Sequence, residues 1–77
     1  MVPEKIIYNT EGNRRVVIYK RIDGCFEFSE EEYHFHGDKY DKVLWIPVFE
    51  PSGVYDTCET ALREAVGVVH WLKKEQS

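Results

Sequence analysis

The sequence predicts a small α+β domain: a three-stranded antiparallel β-meander with one C-terminal helix packed on one face. Three observations carry this prediction. Asp23-Gly24 lies between residues 14–22 and 25–29, two segments rich in β-branched and aromatic side chains, and reads as a hairpin turn. Val43-Leu44-Trp45-Ile46-Pro47-Val48-Phe49 is a further apolar run of strand length. From Asp56 onward, Cys58, Ala61, Leu62, Ala65, Val69 and Leu72 recur at helical spacing on one face.

Taken in chain order, Lys5-Ile6-Ile7-Tyr8 reads either as a short leading strand or as an extended arm, and Asn9-Thr10-Glu11-Gly12-Asn13 as a loop. The register of the hairpin can be argued. A two-residue loop of Asp23-Gly24 would place Arg21 opposite Phe26 and mix polar with apolar residues on both faces. A three-residue loop of Ile22-Asp23-Gly24, with Gly24 in the left-handed conformation, instead sets Ile18 opposite Phe28, Lys20 opposite Phe26 and Val16 opposite Glu30. Val16, Ile18, Phe26 and Phe28 then share one face, and Val17, Tyr19, Arg21, Glu27 and Ser29 the other. A one-residue slip exchanges the faces, so the cleaner segregation selects the second register.

Beyond Glu32 the apolar phase moves to the odd positions Tyr33 and Phe35, which predicts either a bulge or a strand end near Glu31. Residues 36–42 read as a polar turn. Pro47 lacks an N–H donor, so the third strand is expected at a sheet edge. Asp56, with Glu59 three residues later, is the expected N-cap of the helix. Gly67, a weak helix former, is expected where the helix approaches the sheet closely. A single apolar stripe on the helix covers a single sheet face, that of Val16, Ile18, Phe26 and Phe28.

Seventy-seven residues make a single domain over 1–77, with its core in 14–74. The chain is 43% hydrophobic and 14% aromatic, which excludes disorder as the default. No apolar run approaches the ~18 residues of a membrane span. Two cysteines with no secretory signal before them predict reduced thiols and a cytoplasmic location. Fourteen acidic against ten basic residues, a net charge of −4, argue against non-specific nucleic-acid binding. Arg14, Arg15, Lys20 and Arg21 are concentrated on the first hairpin strand, but antiparallel pairing sets them against Glu30, Glu31 and Glu32.

The string Ser52-Gly53-Val54-Tyr55-Asp56-Thr57, followed by Glu59, Ala61, Arg63-Glu64-Ala65 and Trp71-Leu72, is similar to the C-terminal half of a group of short bacterial proteins of unknown function. Those proteins also open with a basic strand, a turn like Asp23-Gly24 and an aromatic strand like Phe26-Glu27-Phe28. The resemblance spans residues 14–72 and implies no activity or functional residue. More coarsely, a hairpin, a third strand and a helix beginning Asp56-Thr57 resemble HicB-type antitoxins, whose fold presents a surface to a toxin partner. The chain departs from them in its longer, more aromatic stretch from Trp45 to Tyr55 and in lacking an appended DNA-binding segment.

Residues that carry chemistry are sparse. His34 and His36 alternate on a strand with Asp38 nearby, a weak candidate metal pair; a polar strand end at a turn is the simpler explanation. Cys58 falls on the helical stripe and reads as a small core residue, and Cys25 as a more exposed thiol. Glu30-Glu31-Glu32 reads as a solvated charge run. No P-loop, dinucleotide fingerprint or Ser/His/Asp set is present, and no cofactor is expected. The expected working surface is the sheet face left bare by the helix, with Val17, Tyr19, Arg21, Trp45 and Phe49 on it; the pattern leaves open whether the third strand presents Trp45, Pro47 and Phe49 there or Leu44, Ile46 and Val48. The expected function is a non-enzymatic protein-interaction module, binding a protein partner or a second copy as a homodimer. The alternative is a nucleic-acid-associated or antitoxin-like regulator using the basic strand.

Overall fold

A computed structural model describes residues 1–36, 42–48 and 53–76. Its elements are β1 (Val2–Tyr8), β2 (Arg14–Lys20), β3 (Phe26–His36), β4 (Lys42–Pro47), α1 (Cys58–Val68) and α2 (His70–Gln76). The class is α+β. The four strands form one antiparallel sheet in the order β1-β2-β3-β4, a meander with one strand more than the expected three. The extra strand is β1, which includes residues 5–8 and pairs antiparallel with β2.

The hairpin takes the three-residue loop. Val16 faces Glu30, Ile18 faces Phe28 and Lys20 faces Phe26. The Gly24 N–H donates to the Arg21 carbonyl at 3.1 Å, and Gly24 has φ +87°, a conformation that a Cβ would strain. The Asp23 carboxylate accepts the Cys25 N–H at 3.0 Å. That bond, with the adjacent Arg21 guanidinium, holds its carboxyl below the usual aspartate value.

The expectation that β3 bulges or ends near Glu31 is corrected. It runs unbroken to His36 because its two halves have different neighbours. Phe26 to Glu32 pair with β2, whereas Glu31 to His36 pair with β4. The shift of apolar residues from even to odd positions marks a change in which face carries them, not a fault in the strand. Beside the first half of β3, Tyr55 takes the place of a fourth strand. It exchanges two 2.8 Å backbone hydrogen bonds with Phe26 and stacks its ring on Phe28, centroids 6.0 Å apart. Pro47 ends β4, an edge strand, as its missing donor requires. The expected polar turn lies largely outside the described residues.

The helical stretch divides in two at Val69, whose ψ of 108° is extended. Gly67 and the β-branched Val68-Val69 are poor helix formers, which weakens the helix there. Gly67 itself is exposed, with nothing within 4 Å of an added Cβ, so it marks this break and not a close approach to the sheet. The N-cap is Thr57, one residue later than expected: its hydroxyl accepts the Thr60 N–H at 3.1 Å. Ala61, Ala65, Val69 and Leu72 bury the stripe against Val16, Ile18 and Phe28, with Ile7, Phe26, Tyr55, Cys58, Leu62, Val66 and Trp71 packed around them. The helices thus cover the expected face.

Candidate functional site: the open sheet face

Strand register sorts the side chains. Ile6 and Tyr8 on β1, Arg15, Val17 and Tyr19 on β2, Glu27, Ser29, Glu31, Tyr33 and Phe35 on β3, and Trp45 on β4 point away from the helices. This face is built around one carboxylate. Glu31 is only 6% exposed. It accepts the Arg15 Nε–H at 2.7 Å and the Tyr19 hydroxyl at 2.9 Å. Burial first, and the bond to Glu31 second, push the Tyr19 phenol up to about 12.

The Tyr19–Glu31 bond has a structural consequence. Tyr19 pairs with Glu27 and Glu31 with Arg15, and the Val17–Ser29 pair lies between those two rows on the same face. The bond therefore crosses over Val17 and Ser29 as a strap. Both are nearly sealed, 1% and 4% exposed, on a face that no described helix covers. Beneath it, the Ser29 hydroxyl finds no hydrogen-bond partner among the described residues.

On the other side of Glu31 the structure is aromatic. The Arg15 guanidinium lies over the Trp45 ring, 4.3 Å from its centroid, a cation–π contact. Tyr33 and Tyr8 meet the same indole edge-on, at 5.4 and 5.8 Å between centroids. Phe35, 57% exposed, extends this apolar area, and Ile6 and Tyr8 border it.

The expected surface residues are placed as follows. Trp45 sits at the centre of the aromatic group. Tyr19 is half-buried, its hydroxyl committed to Glu31. Arg21 lies at the hairpin end, 3.3 Å from Asp23 and from Glu27. Val17 is corrected: it faces the expected way but is sealed under the strap, unavailable to a partner. Phe49 lies outside the described residues. Tyr8, Ile6, Tyr33 and Phe35 complete the surface and escaped the sequence reading; the odd phase of Tyr33 and Phe35 was the signal that could have placed the last two.

The charge run also needs correction. Glu30, 7% exposed, faces the helices, where it accepts the Trp71 Nε1–H at 2.9 Å and meets Arg14 at 3.0 Å. Arg14 reaches Glu32 with its other terminal nitrogen, also at 3.0 Å. Two of the three glutamates are therefore buried and partnered. The expected cross-strand neutralisation of Arg14 and Arg15 does occur.

His34 is 3.5 Å from Glu32, while the His36 side chain and Asp38 lie outside what the structure describes. No cluster of three metal-ligating side chains occurs among the described residues. Cys25 and Cys58 are both free and half-buried, so Cys58 borders the core without being sealed in it. No described helix is long and apolar enough to cross a membrane. Comparison with protein-family models, curated proteins and solved structures gave no match.

Proposed function

We propose that this protein is a non-enzymatic protein-interaction module whose working surface is the open sheet face. The observation that carries the reading is the exposed apolar group of Ile6, Tyr8, Tyr33 and Phe35 on a face that neither described helix covers, with Tyr8 and Tyr33 packed on Trp45. Contiguous exposed apolar surface of this kind marks an interaction site. The polar groups of the face support a binding role over a catalytic one: Arg15, Glu31 and Tyr19 satisfy one another and brace the sheet.

A nucleic-acid-associated or antitoxin-like role through the basic strand is the second reading. The aromatic rings would suit base stacking, but Arg14, Arg15 and Arg21 are already engaged by carboxylates. A photoreactive residue at Phe35 in living cells should crosslink to protein, and one at the exposed Arg63 of α1 should not. Crosslinks confined to Arg63, or a salt-sensitive gel shift with nucleic acid and no protein crosslink at Phe35, would contradict the proposal.

A further inference from the structure

We infer that the occupant of the open face is a second copy of this chain. This inference rests on the interaction reading above and names its partner. Charge is the first argument. The chain carries −4 overall, but on this face Arg15 and Arg21 stand against Glu27 and Glu31, paired within the chain at 2.7 and 3.3 Å. A strongly acidic or basic partner finds no net charge to complement. Two copies meet here without like-charge repulsion, and the acidic excess stays on other surfaces.

The sheet edges supply the second argument. Strand addition along β1 meets Pro3 and the register shift between Pro3 and Lys5; along β4 it meets Pro47. Proline and bulges are the usual guards of an edge. Association is thereby directed to the face, where side chains and not backbone groups make the contact.

Size is the third. The molecule is a plate of 42 × 31 × 18 Å. The outline of the whole broad side is about 1,000 Å², so the ~800 Å² that each partner contributes to a stable interface takes most of that side and not the aromatic group alone. A two-fold arrangement places the same patch on both sides, so Phe35, Tyr33, Tyr8 and Ile6 of one copy pack on the corresponding group of the other. The aromatic cluster at the centre is the composition that concentrates binding energy.

Sedimentation equilibrium of the full chain, from about 1 µM to about 1 mM, tests the inference. A dimer is expected, and Phe35→Lys should raise its dissociation constant at least about ten-fold. Ile6→Lys should do the same, guarding against a local folding defect in the first variant, with circular dichroism checking that both remain folded. Val68→Lys, on the exposed side of α1, should leave the dimer intact. A monomer throughout, or a dimer broken by Val68→Lys and untouched by the two face variants, overturns the inference. If the monomer result comes with in-cell crosslinks from Phe35 to a different protein, the second copy is ruled out while the interaction reading stands; with no crosslink, both fall.

Discussion

Glu30 and Glu31 are neighbours in the chain and point to opposite sides of the sheet, and each is almost fully buried. On the helix side, Glu30 lies at the margin of an apolar core, held by Arg14 from the adjacent strand and by Trp71 from α2. That side is closed by elements distant in sequence. On the open side no described helix arrives, and Glu31 gathers Arg15 and Tyr19 from the adjacent β2. That side is closed by its own side chains, and only over Val17 and Ser29. Beyond the strap it stays open and aromatic. The helix-covered face thus derives its stability from apolar burial and the open face from a hydrogen-bonded ion pair, which leaves the rest of that face available for binding.

The comparison can be broken from either side. The largest effect is expected in the apolar core. Phe28→Ala removes its largest sealed side chain and should cost about 3–5 kcal/mol in urea unfolding. In a domain this small, a loss of that size populates the unfolded state even without denaturant. On the open side, Glu31→Ala strands the Arg15 guanidinium and the Tyr19 hydroxyl together and should cost about 3 kcal/mol, the lower end for breaking a buried pair, because Arg15 keeps some contact with water. If it cost no more than a surface substitution, the open face would not be closed by this carboxylate.

Ser29→Ala works in the opposite direction. Its hydroxyl is buried without a partner, so removal should stabilise the protein by about 1 kcal/mol. Destabilisation would mean that the strap does not exclude water. The smallest effect is one of pH. Burial, and then the bond to Glu31, push the Tyr19 phenol up to about 12 in the folded chain, above the ordinary tyrosine value of 10.0. A raised folded value means that the native state holds the proton longer. Its contribution is fully present below pH 10 and is lost as pH rises towards 12. The decline in stability over that interval should be shallower in Tyr19→Phe, read by denaturant midpoints across the alkaline range.

Much of the helix-covered face was legible because local pattern determines it. Asp23-Gly24 allows few turns, and only one register gathers Val16, Ile18, Phe26 and Phe28. The spacing of Ala61, Ala65, Val69 and Leu72 has one helical solution. The open face was less legible because its key contacts cross strands or reach far along the chain. No local spacing tells that Tyr19 lies over Val17 to reach Glu31, or that Trp71 meets Glu30 from 41 residues away. Without those partners, three consecutive glutamates look like a solvated run. The phase change at Tyr33 is visible in the sequence, but spacing alone does not tell that it coincides with the change of neighbour from β2 to β4. Asp56 and Thr57 are both good caps, and Glu59 favoured the wrong one.

The central claim is that the open face is closed from within by the Tyr19–Glu31 strap. A double-mutant cycle of Tyr19→Phe and Glu31→Gln, measured by urea unfolding, tests it directly. The strap predicts a coupling of at least about 1 kcal/mol between the two substitutions. Effects that add to within about 0.3 kcal/mol would contradict it, showing that Val17 and Ser29 are sealed by something other than that bond.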